Sequence, residues 1–167
     1  SSEQTSLITD DTRTKQLKSF DPFKNSHAAG YFDKDHMFGQ QEGFDLIIGN
    51  PPYVEHKKLK RISRQLKDNY SVYTGSSDLS VYFFEQAINN LKQSGVVAFI
   101  NTNKFFNTIY GQKLREYLLS KDIICLINFE QVPVFENVLV SSCVIIFKNE
   151  KSQKNTLRLG LFNKDKE

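Results

Sequence analysis

The chain has 167 residues, which is room for one domain and hardly more. Its 22 Lys and Arg against 19 Asp and Glu leave a formal net charge of only +3, which excludes a histone-like or polybasic binder. A hydrophobic share of 39% with 13% aromatics supports a real core, and no apolar run approaches the roughly 20 residues that span a bilayer. Cys125 and Cys143 lie inside apolar runs, whereas a secreted disulfide scaffold would carry more than two cysteines. The composition therefore points to a reducing, cytoplasmic setting without a membrane.

In chain order, residues 1–19 are polar and lack apolar periodicity, so they read as a tail or linker. Residues 20–43 carry Phe20, Phe23, Tyr31, Phe32, Met37 and Phe38, interrupted by Pro22, Gly30 and Gly39, as in an irregular segment. Phe44 to Ile48 is a short apolar run closed by Gly49-Asn50-Pro51-Pro52, which predicts a buried parallel strand ending in a rigid turn. Residues 56–68 place Leu59, Ile62 and Leu66 on one face of a helix and Lys57, Lys60, Arg61, Arg64 and Lys67 on the other. Residues 77–92 predict a second helix with Ser77 as N-cap, an inner stripe of Leu79, Phe83, Ala87 and Leu91, and Gly95 as a turn beyond its end.

Val96 to Ile100 predicts a strand, residues 110–120 a third helix, and Ile123 to Ile127 another strand. The β-branched run from Val138 to Lys148 predicts a fourth strand near the sheet edge, and the sequence from Asn149, including 151–167, is polar. This order is half of a doubly wound α/β sheet.

Asn50-Pro51-Pro52-Tyr53 stands where parallel sheets place their ligands, at the carboxyl end of a strand. Two prolines fix two φ angles and restrict the residue before each, so the loop is stiff. Such a loop suits an exocyclic amino group whose lone pair is delocalised into an aromatic ring. The Asn50 side-chain oxygen and the Pro51 carbonyl can each accept one N–H, leaving the lone pair aimed at an incoming methyl group. That stabilisation grows as positive charge develops on nitrogen. Tyr53 offers a ring for stacking on the base. Read without its strand, the tetrapeptide is equally an ordinary turn.

The motif and its surroundings resemble the adenine-specific amino-group DNA methyltransferases, above all those of type IIG, which fuse modification and restriction. The resemblance runs from about Phe20 to Lys148, through FDPFKNSHAAGYFDKDHMFG, GFDLIIGNPPYV, DLSVYFFEQAINNLKQSGVVAFINTNKFF, YGQKLREYLL and PVFENVLVSSCVIIFK. It implies a Rossmann-like class I methyltransferase sheet, S-adenosylmethionine as methyl donor and a flipped-out adenine in double-stranded DNA as acceptor. Asn50 and Pro51 correspond to the acceptors of the amino group in a corner completed by Pro52. Tyr53 corresponds to the stacking ring, Phe135 to a second aromatic on the base, and Asp78, Leu79 and Phe83 to the helix beside the cofactor's adenosine. The glycine-rich donor loop that normally precedes this motif has no counterpart before residue 44, where Gly30 and Gly39 are isolated. The resemblance therefore implies the C-terminal, target-side half of a catalytic domain over residues 20–150. The rest of the polypeptide would supply the cofactor-binding half and a target-recognition domain, and the isolated chain would be inactive.

Beside this stand a glutamine-amide (release factor) methyltransferase, which shares the motif, and a non-catalytic DNA-binding or assembly fragment. The basic residues Lys57, Lys60, Arg61, Arg64 and Lys67 suit phosphate contacts or a solvated face equally well. Asn101, Asn103 and Lys104 follow a strand and fit a pocket edge or, more simply, a turn. Arg115 is a further candidate for a phosphate. His27, His36 and His56 lack metal-ligand spacing, so no metal is expected, and both cysteines read as small core residues.

Overall fold

The apolar run after Gly43 opens a five-stranded sheet within residues 42–167, which form one of two compact units; residues 1–41 form the other. The computed structural model describes residues 38–130, 141–151 and 157–161, with residues 14, 15, 18 and 134. Most of the ring-rich segment and Phe135 lie outside the described residues.

Strand β1 is Phe44–Gly49, followed by a 3-10 helix over His56–Ile62 and helices α1 (Ser63–Asn69) and α2 (Leu79–Asn90). Next come β2 (Leu91–Thr102), two short 3-10 turns (Asn103–Phe106 and Ile109–Gly111), α3 (Gln112–Leu119), β3 (Asp122–Asn128), β4 (Ser142–Lys148) and β5 (Arg158–Leu161). The sheet order is β1-β2-β4-β3-β5. β1 runs parallel to β2 and β3 parallel to β5, while β4 is antiparallel to both of its neighbours.

The α/β architecture is the predicted one, with several corrections in detail. The last apolar run was expected near the sheet edge, yet β4 sits between β2 and β3 with Cys143, Ile145 and Phe147 buried. A β-branched run reports that a strand is buried but not its direction, and the antiparallel return from β3 requires no helical crossover. β1 was expected to be buried, but among the described residues it is an edge strand of the sheet, with Leu46 and Ile48 52% and 73% exposed. β5 is a four-residue strand inside the polar C-terminal stretch that sequence periodicity passes over.

One face of the sheet carries the core. α2 lays Phe84, fully buried, against Phe99 of β2, Phe147 of β4 and Phe105 of the following turn, at ring-centroid distances of 5.3, 6.1 and 5.8 Å. Leu114 and Leu118 of α3 join the same cluster. The buried residues of α2 include Val81, Phe84, Ala87 and Ile88; of the expected Leu79-Phe83-Ala87-Leu91 stripe, Ala87 and Leu91 are buried and Leu79 packs against the core, but Phe83 is 38% exposed. With apolar residues at eight of the thirteen positions from 79 to 91, two stripes fit the helical period, and the one that completes the aromatic cluster is buried.

The N-cap of α2 is Asp78, one residue after the expected Ser77, and Leu91 already belongs to β2. Where a turn at Gly95 was expected, β2 already runs, and within it Ser94, not Gly95, takes positive φ. Gly95 is needed for close approach instead, because a Cβ there would lie 3.0 Å from the Phe44 carbonyl oxygen. Gly43 meets both demands: its φ is +113°, and a Cβ would stand 2.7 Å from the Asn90 carbonyl oxygen. The basic helix also differs from expectation, its first seven residues being 3-10 and only Ser63–Asn69 α-helical.

Candidate active site

The parallel pairing of β1 and β2 sets Gly49 opposite Phe99. Asn50 and Asn101 therefore emerge from neighbouring strands at one edge of the sheet. β4 begins and β3 ends at this edge, with Cys143 paired to Asn101 on one side and Asn128 on the other. The edge is rich in carboxamides: Asn103 Nδ2 donates to Asn128 Oδ1 at 2.9 Å, and Asn101 Oδ1 accepts from the Thr102 N–H at 2.8 Å. Asn101 is fully buried, and its Nδ2 has no hydrogen-bond partner among the described residues. Sequence reading favoured a turn here, but Asn101 and Thr102 are still strand, and only Asn103 and Lys104 begin the turn.

The diproline corner leaves Asn50 exposed, Pro51 buried and Tyr53 half-buried. The Val54 N–H donates to the Pro52 carbonyl at 3.2 Å, closing a three-residue turn around Tyr53. The Val54 carbonyl in turn accepts from the Leu79 N–H at 2.9 Å, which fastens the loop to the start of α2. Within the motif, the Tyr53 hydroxyl donates to Asn50 Oδ1 at 3.0 Å. Partial burial, reinforced by the nearby Cys143 and Asp78, pushes the Tyr53 phenol above its ordinary value, so it remains a proton donor at neutral pH.

Asp78 is committed on both oxygens. It accepts from Ser80 Oγ at 2.5 Å and from the Tyr110 hydroxyl at 3.2 Å. Burial is the main reason the Tyr110 phenol is pushed up to about 12, with Asp78 adding to it. Tyr110 was not singled out as a site residue, and nothing in its sequence spacing marks its contact with a residue 32 positions away. Leu79 and Phe83 lie one turn apart on α2, and Phe83 presents its ring outside the core.

Lys57, Lys60, Arg61, Arg64 and Lys67 are all exposed, and Arg64 makes only a loose contact of 4.0 Å with Asp68. A groove of about 420 Å³ between α1 and α2 is lined by Gln65, Asn69, Gln86 and Asn89 and touches none of the motif. Arg115, a candidate for phosphate, is used internally: its Nη1 donates to the Phe105 and Thr108 carbonyls at 2.7 and 2.9 Å. Cys143 is buried, and desolvation pushes its thiol up to about 12, which leaves it protonated and without nucleophilic character. No group of three or more His, Cys, Asp or Glu able to hold a metal occurs among the described residues, nor is any helix there long and apolar enough to cross a membrane.

The fold resembles that of solved proteins described as class I S-adenosylmethionine-dependent methyltransferases. It superposes with a TM-score of 0.59 and 15% identity on a Listeria monocytogenes protein described as such an enzyme, covering 75% of this chain and 39% of that one. The type IIG restriction endonuclease BpuSI gives 0.53 at 18% identity, covering 73% and 16%. Residues 2–135 match the Eco57I restriction-modification methylase family, and the chain belongs to it. It is 37% identical over 127 residues to the type II methyltransferase M.HincII of Haemophilus influenzae, covering 73% of this chain and 25% of that protein. Identity to the type II restriction enzyme and methyltransferase RM.Eco57I of Escherichia coli is 33% over 121 residues, covering 67% and 12%. The chain thus spans about a quarter or less of these two relatives.

Proposed function

We propose that the polypeptide containing this chain is a site-specific DNA methyltransferase of a restriction–modification system, acting on the N6 amino group of adenine. The observation that carries the reading is the diproline corner at the end of β1, which presents the Asn50 carboxamide at the surface with its oxygen engaged by Tyr53. In the proposal, Asn50 Oδ1 and the Pro51 carbonyl accept the two N–H bonds of the target amine. Those bonds pull the nitrogen out of conjugation and strengthen as it becomes positive, so no base is required before attack. The amino group is paired within the duplex, so the base has to be extruded before it reaches this corner. Stacking on Tyr53 and Phe135 would offset part of that cost, at roughly 1–3 kcal/mol per base.

S-adenosylmethionine supplies an electrophilic methyl carbon. The residues present fit one side of its adenosine: Leu79 and the exposed Phe83 ring offer apolar surface, with the Asp78 carboxylate one residue before them. We assign the other side of the cofactor, and the reading of the DNA sequence, to further parts of the same polypeptide. Membership of the methylase family and the cationic surface after the motif support DNA over a protein amide as substrate.

The test is product analysis. Full-length enzyme, duplex DNA and methyl-labelled S-adenosylmethionine should yield label in N6-methyladenine. Label in a methylated cytosine, or on a glutamine of added protein, would overturn the proposal. Replacing Arg61, Arg64 and Lys67 with Gln should weaken binding across DNA sequences. Each phosphate contact removed should flatten the slope of log affinity against log salt by about 0.9. An unchanged slope would show the basic face to be solvated only.

A further inference from the structure

The hydrogen bond inside the motif has a role beyond stacking, and we infer that the Tyr53 hydroxyl is a positioning group that fixes the Asn50 carboxamide before a base arrives. The inference rests on the reading of Asn50 as acceptor of the target amine. A carboxamide on an exposed loop turns about a broad, roughly two-fold terminal torsion, and its oxygen and nitrogen ends have nearly the same shape. With the nitrogen end forward, it would meet the target amine donor to donor and hold nothing. The Tyr53 hydroxyl, donating to Oδ1 at 3.0 Å, holds the carboxamide in the orientation with the oxygen in place. A carboxamide oxygen has two acceptor positions, so the second remains for an N–H of the base.

The donor is itself held. Tyr53 lies at the centre of the turn closed by the Val54 N–H and the Pro52 carbonyl, and the Val54 carbonyl is tied to the first residue of α2. Its ring is half-buried, and the phenol stays protonated well above neutral pH. Two prolines stand between the partners, so the loop connecting them loses little further freedom when the bond forms.

Tyr53→Phe in the full-length enzyme keeps the ring and deletes only the hydroxyl. We expect kcat to fall about three- to tenfold, the worth of one ordinary hydrogen bond, with KM for DNA changed by less than about twofold. The distinguishing measurement is a double-mutant cycle in single-turnover methyl transfer. In an Asn50→Ala background, where no carboxamide remains to be oriented, Tyr53→Phe should cost nothing further. An equal cost in both backgrounds would mean that the hydroxyl acts through packing, and would overturn the inference. Turnover of Tyr53→Phe at or above the unmodified rate would also overturn it, because the hydroxyl would then be idle or in competition with the base. If Asn50→Ala leaves methylation intact, or the product is not N6-methyladenine, the underlying reading fails first and the inference falls with it.

Discussion

Asn50→Ala in the full-length enzyme is expected to slow single-turnover methylation by about 10²–10³-fold, the usual loss on removing one preorganised polar group that meets developing charge. The effect should fall on the chemical step. Asn50 is exposed and makes its side-chain hydrogen bond to Tyr53, so its truncation leaves no buried group unpaired. DNA affinity, carried in this proposal by the basic face and by the rest of the polypeptide, should be nearly unchanged. Asn50→Asp provides the internal comparison: it retains an oxygen for the amine and for Tyr53, but trades a neutral acceptor for a charged one. The expected order of rates is Asn, then Asp, then Ala, read with saturating DNA so that binding does not enter. An Ala variant that methylates at the unmodified rate would remove the corner from the chemistry and return the motif to a strand-ending turn.

Much of this site was legible because it is local. A short apolar run closed by Gly-Asn-Pro-Pro announces both a strand and its end, and the structure ends β1 at Gly49. The basic stripe was also legible, since five cations at helical spacing leave one face exposed however the turns are wound. What escaped depends on neighbours distant in sequence. β4 lies centrally because it is paired on both sides, and nothing within Ser142–Lys148 encodes that. Asn101 looked like a turn residue because a buried asparagine is unexpected. Its burial follows from the continuation of β2 through Thr102 beside β4, and its Nδ2 is left without a hydrogen-bond partner among the described residues. Glu85 escaped for the same reason. It is a buried carboxylate that accepts from the Ser71 N–H and hydroxyl and from the Val72 N–H, at 3.1, 3.0 and 3.1 Å, so it fastens the loop before α2. Charged residues in the middle of a helix are read as solvated unless the partner segment is known.

Phe84→Ala is the substitution expected to cost most in stability, about 3–5 kcal/mol for a fully buried ring. Phe84 contacts β2, β4 and the turn after β2 together, through Phe99, Phe147 and Phe105. Truncation would lose the transfer energy of the ring and leave a cavity bounded by three other rings. Because those rings sit on a paired sheet and an anchored turn, the site cannot collapse freely, which places the cost toward the upper part of that range. Phe83→Ala, one residue away and 38% exposed, should cost far less, because most surfaces outside the core tolerate change within about ±0.5 kcal/mol. Chemical denaturation of the two variants side by side checks the phase assigned to α2. A larger loss at Phe83 than at Phe84 would mean that the helix turns Phe83 into the core instead. The comparison also bears on function, since a Phe83 that contributes little to stability yet lies beside Leu79 is free to serve a ligand. If Phe83→Ala leaves the fold intact and raises KM for S-adenosylmethionine while Phe84→Ala unfolds the chain, the two adjacent phenylalanines divide between cofactor surface and core.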